Sequence, residues 1–168
     1  ALTQLLTGAR WGDLDVLVVD LPPGTGDIQL TMSQKIPVAG AVIVTTPQDI
    51  ATLDARKALK MFEKLDIAVL GLVENMAVHV CSNCGHAEHI FGEGGAVRMS
   101  AQYGVPVLGS LPLQVAIRAQ GDAGTPIVAA QPDSAAALAY REAARALLAR
   151  LDTRPKVRSG IMASLLGG

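Results

Sequence analysis

Every cysteine and histidine of the 168-residue chain, two and three respectively, falls within residues 79–90, "HVCSNCGHAEHI". Cys81 and Cys84 stand at C-x2-C spacing, which lets two thiolates reach one metal centre from a tight turn, with Asn83 and Gly85 permitting the reversal. Two thiolates are half of a four-ligand site. Zinc completed by His86 and His89 would crowd its ligands, because a single residue separates Cys84 from His86 where ordinary zinc fingers use a long spacer. A redox dithiol would prefer to open a helix, whose dipole lowers the thiol pKa, whereas this pair follows an apolar strand-like run and sits among polar residues. A centre shared across a twofold axis needs only two cysteines per subunit, since the symmetry mate supplies the others. Two inert thiols fit the pattern as well. His79, His86 and His89 are of the solvated-loop kind and are assigned no ligand role.

A second stretch with chemical content is "LDVLVVDLPPGTGD", residues 14–27. An aspartate that ends a buried strand and runs into a glycine-containing loop is the arrangement by which P-loop NTPases hold Mg²⁺ and present backbone N–H groups to a γ-phosphate. Gly24 and Gly26 would let the backbone approach phosphate closely. Taken alone the signal is weak, because a strand-terminal aspartate more often caps a helix or fixes a turn.

The elements that must position these residues alternate along the chain. Apolar runs at 14–20, 40–46, 67–76 and 106–112 read as buried strands, and the intervening stretches at 28–36, 49–65, 94–104 and 113–122 read as helices. Asp49 or Thr52 is available to cap the second of these helices. An Ala-rich helix over 132–151 follows, and 152–168 reads as a loosely held tail. Strands alternating with helices predict an α/β fold, a doubly wound, mostly parallel sheet with flanking helices. Ligands of such sheets sit at the carboxyl ends of the strands. Asp20, Thr45 to Asp49 and Glu74–Asn75 fall at those ends, and the Cys/His segment leaves from the same edge.

Composition agrees. Half of the residues are hydrophobic but only 3% are aromatic, so the core is built from Val, Leu, Ile and Ala, which suits parallel strands under small-residue helices. The net charge of −1, with both signs scattered, gives no electrostatic ground for nucleic acid or an anionic membrane as partner. The apolar runs are far shorter than the about 20 residues that span a bilayer. The first residues, "ALTQLLTGARWG", do not read as a secretory signal, so a cytoplasmic location is expected.

The strings "DLPPGTGD", "TTPQDIATLDARKAL", "GLVENM" and "CSNCG…HIFGEGG", in this order and at these separations, resemble the Mrp/ApbC family of iron-sulfur carrier ATPases, members of the MinD/ParA-like deviant P-loop group. The resemblance implies that Asp20 matches the Walker B aspartate near Mg²⁺. It implies that Pro22 to Asp27, with Gly24, Thr25, Gly26 and Asp27, match the switch that senses the γ-phosphate. Asn75 matches the residue that hydrogen-bonds adenine, and an amide offers the donor and acceptor that an adenine edge requires. Cys81 and Cys84 match the pair that holds a 4Fe-4S cluster bridging two subunits. The implied whole is a homodimer that uses ATP and Mg²⁺, takes clusters from scaffold proteins and delivers them to apo iron-sulfur proteins. The rival within the group is a MinD/ParA-like positioning or scaffold ATPase with structural zinc at the cysteine pair.

One departure stands out. No Gly-rich loop followed by Gly-Lys-Ser/Thr occurs in the sequence, so the phosphate cradle itself has no counterpart. Residues 1–151 are therefore expected to be the C-terminal portion of a P-loop NTPase-like domain, ATP hydrolysis belonging to a longer protein and not to this stretch alone. In the family's architecture a P-loop strand lies between the strand ending at Asp20 and the one ending near Thr45. Without it those two strands would face a gap, with unpaired N–H and C=O groups costing about 1–3 kcal/mol each if kept from water.

Overall fold

The computed structural model describes residues 8–22 and 38–154. The β-branched run AVIVT forms β1, Ala41–Thr45. Next come α1, Asp49–Lys64, and β2, Val69–Val80. The short β3, Ala87–Glu88, is followed by α2, Gly95–Tyr103, and β4, Val107–Leu113. Helices α3, Val115–Asp122, α4, Ile127–Ala130, and α5, Ala135–Asp152, complete the described chain.

Strand β2 is the spine. It pairs in parallel with β1 and with β4, and only β3 runs antiparallel, so the sheet is mostly parallel and flanked by helices. Thr52, Ala55, Leu59 and Phe62 of α1 recur at helical spacing, and all are buried. With Ala96 and Met99 of α2, Ala55 and Leu59 close over Ile43 and Leu72 of the sheet. Fully burying side chains such as Leu59, Leu72 or Met99 is worth about 1.5–3 kcal/mol each. Helix α5 packs on β4 and β2 through small residues, with Ala136, Ala137 and Ala143 buried, and Ser134 caps it by accepting the Ala137 N–H at 3.1 Å.

Helix α1 starts differently from expectation. Gln48 is the N-cap and makes no side-chain capping bond, while Thr52 sits one turn inside and donates to the Asp49 carbonyl at 2.9 Å. The end of α1 is a Schellman motif: Asp66 N–H reaches Glu63 O at 3.2 Å, Ile67 N–H reaches Phe62 O at 2.9 Å, and Asp66 occupies the left-handed region at φ 56°. Phe62 and Ile67 pack together in a second small cluster with Ala41, Met61 and Leu21.

The strand expected at 14–20 does not form. Residues 14–20 carry no strand, and Val18 is 77% exposed. The physical reason is the want of a ladder: among the described residues β1 pairs only with β2, and no strand pairs with 14–20. An apolar β-branched run without a neighbouring strand has no way to satisfy its backbone while burying its side chains. Among the described residues no second strand pairs with β1, and 14–20 does not close on it. Leu21, just past this segment, packs against the second small cluster. The helix expected at 28–36 and the residues of the tail beyond Arg154 lie outside the described residues.

Candidate functional site

Thr45, the last residue of β1, pairs with Glu74 of β2, and this pair marks the carboxyl edge of the β1–β2 ladder. Beyond it β2 continues for six residues, Asn75 to Val80, about 20 Å at the usual rise per residue. The continuation begins with an irregularity. Met76 has φ 55°, the β2–β4 register shifts between Glu74 and Val78, and the Asn75 side-chain oxygen accepts the Met76 N–H at 2.9 Å. A bulge of this kind redirects a strand and re-aims its side chains.

The two cysteines sit where β2 turns back into β3. His79 and Val80 pair with Glu88 and Ala87, and across the turn Cys81 N–H donates to His86 O at 2.9 Å while Gly85 N–H donates to Cys81 O at 2.9 Å. Gly85 has φ 73°, the reversal the sequence assigned to it. Cys81 is half-buried, Cys84 is exposed, and both thiols are free. The Cys81 thiol is held below its ordinary pKa, first by a hydrogen bond from the Cys84 backbone, then by one from the Asn83 backbone and by the Cys84 side chain. N–H groups aimed at a sulfur stabilise its anionic form, the form that binds metal. These two residues therefore fit the thiolate half of a metal or cluster site.

The histidines do not complete that site. The Nδ1–H of His89 donates to the Ala77 carbonyl at 2.8 Å; a carbonyl can only accept, so Nδ1 carries the proton. The Nδ1 of His79 is buried without a hydrogen-bond partner, and His86 is exposed. Among the described residues no three His, Cys, Asp or Glu side chains come together as a group able to hold a metal ion.

A buried carboxylate that sequence reasoning placed at this edge, without a role, closes the site from below. Glu74 is 5% exposed, and its Oε1 accepts the Ala96 N–H at 2.7 Å, at the start of α2. The positive end of the helix favours the negative group there. Gly95 lies against the β1–α1 turn so closely that a Cβ would stand 2.8 Å from Pro47 O and 3.0 Å from Thr52 Cγ2. The Asp49–Arg98 ion pair between the same two helices, at 3.5 Å, has both side chains largely exposed and adds little.

The other sequence candidates are less gathered. Asp20 is exposed and ends no strand. Gly24, Thr25, Gly26 and Asp27 lie outside the described residues. Asn75 is at the carboxyl edge as expected, with one oxygen lone pair committed to Met76 and its amide N–H groups left to contact a ligand. No helix among the described residues is long and apolar enough to cross a membrane.

Comparison with known proteins adds to this geometry. The ParA family model described as NUBPL iron-transfer P-loop NTPase matches residues 1–148. An iron-sulfur cluster carrier protein of Pseudomonas fragi is 65% identical over 144 residues, 86% of this chain and 50% of the relative. The iron-sulfur cluster transfer protein NUBPL of Mus musculus is 50% identical over 156 residues, 93% of this chain and 49% of the relative. The chain thus spans about half the length of the curated relatives it matches. A nucleotide-binding protein from Archaeoglobus fulgidus, solved in complex with ADP, superposes with a TM-score of 0.60 at 44% identity, covering 68% of this chain and 47% of that one.

Proposed function

The chain belongs to the ParA/NUBPL family of iron-transfer P-loop NTPases, and from that premise we propose that it carries a labile 4Fe-4S cluster between two subunits and hands it to apo-proteins in an ATP-dependent cycle. The observation that carries the reading is the turn at Cys81 and Cys84: two free thiols, one of them receiving backbone N–H groups, with no third ligand beside them among the described residues. Two thiolates per subunit suit a cluster shared across a twofold axis, and an exposed Cys84 suits a cargo that must leave.

The cluster is substrate here, and its transfer is ligand exchange. An incoming thiolate of the recipient binds iron as a cysteine thiolate of the carrier departs, with no net change of oxidation state. The chain's own part is to hold both sulfurs at the tip of a hairpin, where a recipient can reach them. On the nucleotide side, Asp20 with Mg²⁺, the loop Gly24, Thr25, Gly26 and Asp27 with the γ-phosphate, and Asn75 with adenine form the proposed set. A cytoplasmic homodimer, supplied by scaffold proteins, is the setting this reading implies.

Metal analysis of the full-length protein, purified without oxygen, tests it. Iron with an equal amount of acid-labile sulfide, lost in Cys81→Ser and in Cys84→Ser, is the expected result. Zinc without sulfide would favour a MinD/ParA-like scaffold with a structural metal, and full cluster retention in either single variant would sink the shared site.

A further inference from the structure

Both ends of the cysteine-bearing excursion meet at one side chain. Residues 75–95, the end of β2, the cysteine turn, β3 and the loop into α2, run from Glu74 to the start of α2, where the Ala96 N–H is bonded to the Glu74 carboxylate at 2.7 Å. On the outgoing side the strand is irregular between Glu74 and Val78. The β1 ladder stops at Thr45–Glu74, the β4 register breaks between Glu74 and Val78, and Met76 adopts φ 55°. Regular pairing on the β1 side resumes only at His79–Glu88. Below the hairpin the outgoing strand regains β4 at Val78–Pro112 and His79–Leu113, and the bonds from His89 to Ala77 and from Ala96 to Glu74 tie the returning chain to it.

The same point touches the other half of the edge. Gly95, the residue before Ala96, is in contact with Pro47 of the β1–α1 turn with no slack, as the 2.8 Å from a notional Cβ to Pro47 O shows. A displacement of that turn has to push on the start of α2, and α2 is clasped to Glu74. A carboxylate with 5% exposure is costly to bury, and the helix terminus it accepts from offsets that cost.

We propose that Glu74 is a positioning residue: it clasps the two ends of the cysteine-bearing excursion and seats them on the β1–α1 turn, so that the thiols move with the edge where a nucleotide would bind. The proposal rests on the carrier reading for the meaning of that motion. It follows from reach, since the clasp depends on an acceptor oxygen at the length of a Glu side chain.

Reach and charge are separable by substitution. Glu74→Gln keeps the acceptor at the same distance without the charge, and Glu74→Asp keeps the charge but withdraws the oxygen by about 1.5 Å, one C–C bond. Amide hydrogen exchange of the full-length protein is the measurement, with the Cys81 and Gly85 amides as reporters because their bonds span the turn. Glu74→Asp and Glu74→Ala should speed exchange at both amides about tenfold, the scale of one lost hydrogen bond. Glu74→Gln should stay near the parent, and α5 amides should be unmoved in all three. Mg-ATP should alter the reporters in the parent and in Glu74→Gln but not in Glu74→Asp. Parent-like exchange in Glu74→Asp, loosening in Glu74→Gln, or no response of the parent to Mg-ATP would overturn the proposal. If Glu74→Ala does not fold, the Asp and Gln pair still decides. The measurement needs no iron, so a failed cluster analysis would refute the carrier reading while leaving this result distinct.

Discussion

Gly95 stands against Pro47 with no room for a side chain: a Cβ at Gly95 would lie 2.8 Å from the Pro47 carbonyl oxygen and 3.0 Å from its Cα. Both contacts are backbone and cannot rotate away. Gly95→Ala should therefore destabilise by about 1–3 kcal/mol through overpacking, read as a lower urea midpoint at unchanged slope. An unchanged midpoint would mean that the turn gives way freely, contrary to its close packing.

The Cys81 thiol should titrate early. Its pKa is lowered by the backbone of Cys84 and then of Asn83, so at a given pH below the ordinary thiol range more of it is thiolate, and alkylation accelerates at lower pH than for a free thiol. The Cys84→Ser variant leaves Cys81 as the single target and preserves both backbone donors. Its rate profile with iodoacetamide should lie at lower pH in the folded chain than in the same chain in urea. Coincident profiles would contradict the hydrogen bonds drawn to the sulfur.

Asp66 closes the Schellman motif of α1 at φ 56°, a conformation that costs a side chain something and a glycine nothing. It is exposed. Asp66→Gly should stabilise the chain by about 0.5–1 kcal/mol, with a rise in Tm of about 1–4 °C. A fall in Tm would show that the aspartate makes a contribution beyond its backbone position.

Leu59 has no exposed surface and joins α1 to both sheet and α2. Leu59→Ala should cost about 2–5 kcal/mol, while Leu53→Ala, at a position on the same helix that is 48% exposed, should stay within about 0.5 kcal/mol of the parent. Similar losses in chemical denaturation for the two would displace the core from where the structure puts it.

The pattern of residues carried some of this and not the rest. Strand β1 and helices α1, α2 and α5 declared themselves through apolar spacing, each within a few residues of its observed bounds. The turn at Gly85 was legible because only glycine takes φ 73° without strain. The run at 14–20 misled, since its composition states a preference for burial but cannot supply the neighbour that makes a strand. The start of α1 misled for a local reason: Thr52 bonds a carbonyl inside the helix instead of capping it. The extension of β2 past Met76 was hidden by the bulge, where alternation is interrupted. Glu74 was visible as an edge residue, but its bond to Ala96 joins positions 22 apart and has no sequence signature.

The stretch of β2 past Glu74 gives the cysteine turn a frame. Its six residues carry the chain from the bulge at Met76 to Cys81, and on the way Val78 and His79 pair with Pro112 and Leu113 of β4. The turn is thus held from two directions, by the β4 ladder and by the bond between Glu74 and Ala96, so its sulfurs are presented on a scaffold and not on a free loop.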